Sequence, residues 1–341
     1  MKKKITIRAA AVAAAAALTL TLAGCNNSAS SGAASSAAPS PSSSASAGET
    51  GVKTGFGVTA ALTEGNLSGK ASVTAAGVLL DEDGKIVQCV IDVAENEFGV
   101  NADGTLAMPA VAATKWEQGE SYGLKSASGI GKEWYEQSKA FCEYVKGKTS
   151  AEVADIAVED NKATDPDLLS GCTIKITPFI SAVTKACDNA KVRGAGKADS
   201  LSMGAVSTAS GSDATDDADG KAQVATTFVV LTKDGDGRVT SAIMDQIEAY
   251  FTTDTSGALT APKDAVISKL EKGADYGMKG VSGIGKEWYE QSEGFCEYLK
   301  GKTAGEIRAI PANGTDADLA AVCTINWTDM LQAATKAADA A

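Results

Sequence analysis

Histidine is missing from all 341 residues. Its absence removes Ser-His-Asp triads, His-ligated zinc and haem, and the usual proton shuttle near neutral pH. No two of the seven cysteines have Cys-x-x-Cys spacing, so iron–sulfur clusters, zinc ribbons and covalent haem lack ligands, and no metal site is expected. Redox chemistry on such a chain has to arrive with an organic cofactor. Aromatic residues make up only 5% of the sequence, and the core must be built largely from small side chains. Basic residues are outnumbered, 31 against 43, for a formal net charge of −12. Nucleic acid, whose phosphates demand clustered Lys and Arg, is excluded as a partner, and the charge suits a soluble part working outside the cell.

An apolar run over residues 9–20 follows Lys2, Lys3 and Lys4 and leads to Leu22, Ala23, Gly24 and Cys25. It is too short to span a bilayer comfortably. The segment resembles a bacterial lipobox, which implies that residues 1–24 are a signal peptide and that Cys25 is lipidated. The implied location is the extracellular face of the cell membrane, anchored to lipid through Cys25. Residues 26–49 hold ten Ser and seven Ala, with Pro39 and Pro41 the only stiff points. Such a tract buries too little apolar surface to order itself, so 25–50 reads as a lipid-bearing tether. A chain of that length reaches about 25–30 Å.

The rest of the sequence repeats itself. Residues 128–149 read SGIGKEWYEQSKAFCEYVKGKT and residues 282–303 read SGIGKEWYEQSEGFCEYLKGKT, 19 of 22 positions being identical at an offset of 154. Trp134, Tyr135, Phe141, Cys142 and Val145 gather on one helical stripe that Gly147 terminates. Thr149 with Glu152, and Thr303 with Glu306, have capping-box spacing for a second short helix. Upstream, residues 71–80 and 85–93 alternate around the turn 81–84, and residues 222–231 and 238–247 do so around 233–237, predicting a β-hairpin in each copy. Asp234 and Asp236 look like the start of a calcium loop, but its remaining ligands are missing and the matched turn at 81–84 argues for an ordinary turn. The acidic run 213–219 reads as a solvated loop.

Downstream, a short strand is expected from Cys172 and Thr173, running into a closing helix with Thr177 as N-cap and Pro178 as first residue. The fold class is α+β, each copy an antiparallel sheet with packed helices. The boundaries fall at 51–193 and 222–341, with 194–221 as linker. Cys142 with Cys296, and Cys172 with Cys323, are repeat-equivalent, which suggests either a disulfide within each copy or two packed thiols. Cys89 and Cys187 read as core.

Residues 167–173, DLLSGCT, resemble the motif that covalent flavin-binding domains present to a flavin transferase: Asp, two variable residues, Ser or Thr, Gly, Ala, Thr. Asp167, Ser170, Gly171 and Thr173 match it; Cys172 replaces the Ala. The order of hairpin, repeated helix, Asp-Leu, Cys-Thr and closing helix, twice over behind a lipobox, is similar to the flavinylated two-domain lipoproteins of Gram-positive bacteria, in the peptide-pheromone-encoding group. That resemblance implies tandem FMN-binding-like domains, FMN joined to Thr173 through a phosphoester, and electron relay from a membrane quinone-linked NADH dehydrogenase to extracellular acceptors. A carrier is implied rather than a self-contained enzyme. The residue types suit the chemistry, since a threonine hydroxyl attacks phosphorus and small neighbours leave it accessible.

The second copy keeps Asp318, Cys323 and Thr324 but has Ala321 and Val322 where the motif asks for Ser and Gly, so Thr324 is expected to serve equally or less completely. Thr177 and Thr328 are alternative acceptors. Tyr122, Tyr276, Trp134, Trp288 and the small-residue run 128–131 are candidate contacts for the ring. Two competing readings are a surface lipoprotein that binds a small ligand without covalent flavin, and a precursor whose signal segment becomes a pheromone.

Overall fold

The computed structural model describes residues 51–65, 67–101, 105–215, 218–254, 256–312 and 314–340; Cys25, the signal segment and the tether lie outside them. In chain order come β1 (Lys53–Glu64), β2 (Ser68–Leu80), β3 (Ile86–Val100), β4 (Leu106–Val111), α1 (Lys115–Gln118) and a 3-10 turn, Gly119–Tyr122. Next are α2 (Trp134–Tyr144), α3 (Ser150–Ala154), the ribbon β5 (Val158–Glu159) and β6 (Lys162–Ala163), α4 (Pro166–Leu169), α5 (Thr177–Asp188) and β7 (Lys191–Val192). The second pass runs through β8 (Ser200–Ser212), β9 (Gly220–Lys233), β10 (Val239–Thr253), β11 (Leu259–Thr260), α6 (Lys269–Lys272) and a 3-10 turn, Gly273–Tyr276. It closes with α7 (Trp288–Leu299), α8 (Ala304–Arg308), α9 (Ala317–Ala320) and α10 (Thr328–Asp339).

The class is α+β with antiparallel sheets. One sheet has the order β4-β3-β2-β1-β7 and the other β11-β10-β9-β8. The hairpins form where alternation predicts them, with Val78 opposite Cys89 and Leu231 opposite Ala242. Both turns are closed by an aspartate: Asp81 Oδ1 accepts from the N–H groups of Asp83 and Lys85, and Asp234 Oδ1 accepts from those of Asp236 and Arg238. The carboxylate of Asp234 is thus engaged in its own turn.

Strand alternation sorts side chains into two layers. Ala76, Val78 and Leu80 of β2 face α2 and α5, whereas Ala71, Val73, Ala75 and Leu79 face the other sheet. In the second sheet Val229 and Leu231 face α7 and α10 while Val224, Phe228 and Val230 turn inward. The two sheets therefore share an apolar layer, with Phe98 and Phe251 at 4.8 Å and Phe56 and Phe228 at 6.0 Å between ring centroids. All described residues belong to one compact unit.

Three expectations change. Residues 194–221 do not run as a linker: β8 lies within them and pairs along its length with β9. Cys172 and Thr173 sit in a turn between α4 and α5, not in a strand, because α4 tucks the segment against α2 instead of a sheet edge. Thr177 is the first helical residue of α5 and Ile176 its N-cap, which puts Pro178 at the second position.

The closing helices approach the sheets unusually closely. A Cβ on Gly57 would lie 2.3 Å from Ala182 O, and one on Gly204 would lie 2.2 Å from Ala333 O. Alanine at either place must lift a whole helix. Gly57→Ala and Gly204→Ala should each lower stability by about 2–3 kcal/mol in urea titrations. Because of the shared layer, fluorescence and far-ultraviolet circular dichroism should report one common transition; two separated transitions would contradict that layer.

Candidate functional site

The repeated helix carries two polar residues inward among its apolar neighbours, a glutamine and the serine after it, which bonds to a strand carbonyl. Its start is fixed by Glu133, whose N–H donates to Glu136 Oε2 at 2.8 Å and whose carboxylate accepts from the N–H groups of Leu124 and Lys125 at 2.9 and 3.0 Å. Glu287 repeats this, accepting from Met278 N at 2.8 Å. One turn on, Gln137 is fully buried, and its Nε2 donates to Ser128 Oγ at 3.0 Å and Lys132 O at 3.1 Å. That fixes the amide orientation and leaves Oε1 as a buried acceptor. Thr173 satisfies it twice, from N at 2.8 Å and from Oγ1 at 3.2 Å.

The second copy repeats every bond. Gln291 Nε2 donates to Ser282 Oγ and Lys286 O, and its Oε1 accepts from Thr324 N at 2.8 Å and Oγ1 at 3.1 Å. Neither threonine is shut away, Thr173 being half-buried and Thr324 exposed. The alternatives lack this setting: Thr177 Oγ1 is shut away without a partner, and Thr328 opens α10, its N–H donating to Asn326 Oδ1. Gln137 and Gln291 went unread in the sequence, although a glutamine kept identical on the inward stripe of a repeated helix was the available signal.

The turn that presents each threonine is held by a residue outside the motif. Asp165 caps α4, accepting from Asp167 N at 2.8 Å and from the Tyr144 hydroxyl at 2.9 Å; Asp316 likewise accepts from Leu319 N at 2.9 Å and Tyr298 at 2.7 Å. The Tyr144 bond, with those of the backbone, holds the Asp165 carboxyl below its ordinary range. Asp167 and Asp318 are exposed, and Ser170 folds back onto Asp167 O at 2.8 Å.

Gly171 has a steric role. A Cβ there would meet Ala140 Cβ of α2 at 2.8 Å, so glycine lets the turn dock on the helix. In the second copy Val322 occupies this place, and the residue facing it is Gly294, where a Cβ would lie 2.9 Å from Val322 O and 3.0 Å from Val322 Cβ. The missing side chain has moved across the contact. This exchange explains why Thr324 reaches Gln291 with the same geometry although its motif is degenerate.

Tyr122 and Tyr276 belong to a neighbouring cluster. Lys115 Nζ lies 5.0 Å from the Tyr122 ring centre and 5.7 Å from that of Trp134, and pairs with Glu95 at 3.0 Å. Lys269 takes the same position at 4.8 Å from Tyr276, 5.7 Å from Trp288 and 3.0 Å from Glu248, with its side chain only 8% exposed. Beneath lie two buried carboxyls that sequence reading passed over. Asp92 accepts from Val93 N and Trp116 N, Asp245 from Gln246 N and Leu270 N. Burial pushes each up to about 7 against the pull of these bonds.

The six described cysteines are free and buried. Cys142 beside Cys89, together with burial, raises the Cys89 thiol, and burial likewise raises that of Cys172.

No protein-family model matches the chain, and no solved structure matches it. The chain is similar to a chlorophenol reductase of Desulfitobacterium hafniense, 38% identical over 97 residues, 25% of this chain and 30% of the reductase. The match thus spans under a third of that protein's length.

Two measurements check the site. Gly171→Val alone should dislodge the turn and cost about 1–3 kcal/mol, whereas Ala140→Gly with Gly171→Val should recover all but about 1 kcal/mol, the cost of glycine within a helix. No recovery would mean the exchange is incidental. Separately, an unfolded aspartate ionises near 4 and the folded carboxyls near 7, so they favour the folded state fully below about pH 4 and lose that contribution as pH rises to 7. Asp92→Asn and Asp245→Asn should therefore gain stability relative to the parent across pH 4–7, by up to about 4 kcal/mol each, and level off above. A difference independent of pH would contradict the burial of these charges.

Proposed function

We infer that the protein is a membrane-anchored extracellular flavoprotein that carries covalent FMN on Thr173 and Thr324 and relays electrons. In this reading it is a tandem of two FMN-binding-like domains, held to the lipid through Cys25. A flavin transferase loads it, a membrane quinone-linked dehydrogenase reduces it, and extracellular acceptors oxidise it. The observation that carries the reading is the identical pairing of both threonines with a buried glutamine, in a motif that resembles the flavin acceptor sequence. A partial likeness to a reductase agrees with a redox role.

The residues fit a phosphoester. Each threonine is pinned through its backbone N–H, so replacing the hydroxyl proton by phosphorus costs one hydrogen bond to the glutamine and leaves the other in place. Lys132 Nζ lies 3.8 Å from where a Cβ on Gly171 would sit, which sets a cation beside the turn for a phosphodiester; Lys286 takes the corresponding position. Bound FMN supplies reversible electron uptake at its ring; the protein's part is to orient the tether and leave that ring exposed to partners. Tyr122 and Tyr276, engaged with lysine, are better placed to stiffen the start of α2 and α7 than to hold the ring.

Because Gly294 restores the second turn, two FMN groups per chain are expected. Intact mass after co-expression with a flavin transferase counts them, Thr173→Ala and Thr324→Ala should each remove one, and covalent flavin on the doubly substituted chain would overturn the assignment.

A further inference from the structure

The two copies differ where a cavity of about 360 Å³ opens between β1 and α5 on one side and β10, α6 and α7 on the other. The first copy serves as an internal control for this place. There Trp116 packs edge-on against Tyr135 at 6.1 Å between ring centres, and the Tyr135 hydroxyl donates to Glu120 at 2.7 Å. At the same offset of 154 the second copy has Leu270 for Trp116, Ala274 for Glu120 and Tyr289 for Tyr135. An indole and a carboxylate have been withdrawn from in front of a retained tyrosine. Leu270, Ala274 and Tyr289 all line the cavity.

Its lining carries Lys185, Lys191 and Arg193 together with the carboxyls of Asp245, Glu271 and Glu293. Arg193 reaches Glu293 only at 3.4 Å, and its Nε–H is shut away from solvent without a partner, a state that costs about 1–3 kcal/mol for a buried donor. Lys191 makes no ion pair among the described residues, whereas Lys185 is held by Glu271 at 2.5 Å. The remaining surface includes Phe56, Val58 and Met244. The volume lies in the usual range for small-molecule sites and is about twice that of a cavity known to admit benzene.

We propose that this cavity binds a small aromatic carboxylate, its ring packing against Tyr289 as the partly exposed Trp116 indole packs against Tyr135 in the first copy, and its anionic group facing Arg193 and Lys191. Thr173 and Thr324 take no part in it. A ring fills the space left by Leu270, and a carboxylate adds a second anionic partner to a guanidinium whose one ion pair, to Glu293, is long at 3.4 Å.

Indole-3-acetate and its neutral isostere indole-3-acetamide, titrated calorimetrically into the full chain, test the site. The acid should bind saturably and about tenfold or more tightly than the amide, Arg193→Gln should erase that preference, and Leu270→Trp with Ala274→Glu, which rebuilds the first copy's wall, should abolish binding of both. Should the double variant not fold, Ala274→Glu alone sets a carboxylate beside the ligand and must weaken the acid more than the amide. No saturable binding by the parent chain, equal affinity for acid and amide, or undiminished binding in the folded wall variant would each overturn the proposal.

Discussion

One apolar layer between two sheets sets the terms for everything else in this molecule. It contains few large side chains; two phenylalanine pairs mark its ends, and alanines such as Ala71, Ala75, Ala205 and Ala249 fill much of the space between. Small residues let two sheets approach without voids, at the price of less buried area per residue. Hydroxyls are absorbed rather than excluded: Thr54, Ser241 and Thr232 form a buried chain with 2.8 Å links. With one face of each sheet committed in this way, the other is free for the helices that present Gln137 and Gln291.

Much of this was legible in the chain. Hairpins announce themselves by alternation around Asp-containing turns, and Thr149 and Thr303 cap their helices with the reciprocal bonds that their spacing predicts. What escaped reading was tertiary. The Ser- and Gly-rich composition of 194–221 resembles a linker, yet β8 forms because β9 offers a complete ladder and the shared layer takes in Leu201 and Ala205. Cys172 and Thr173 look extended in sequence, but a buried amide on another helix sets their conformation. Polar residues such as Gln137, Asp92 and Lys269 lie on inward faces because partners about twenty to forty residues away help satisfy them, and local periodicity alone does not name those partners.

Motif matching sees only one side of the contact that seats the second threonine. A motif records which residue is small, whereas the fold requires only that one side of a contact be small. Ala140 with Gly171 and Gly294 with Val322 are two solutions to the same spacing, and Val322 read without Gly294 hides that the second turn docks on its helix as the first does.

The contacts between the two repeats are reciprocal. Lys185 of α5 reaches Glu271 of the second repeat, and Lys336 of α10 reaches Glu117 of the first; β1 touches β10 as β8 touches β3. Such exchange is what relates the halves of an isologous dimer, in which every surface feature must appear twice. Joining the halves in one polypeptide releases that obligation. A mutation now alters one cleft and spares its twin, so one can keep an indole against its tyrosine while the other has a leucine there and an open cavity, a divergence that identical subunits have no means to reach.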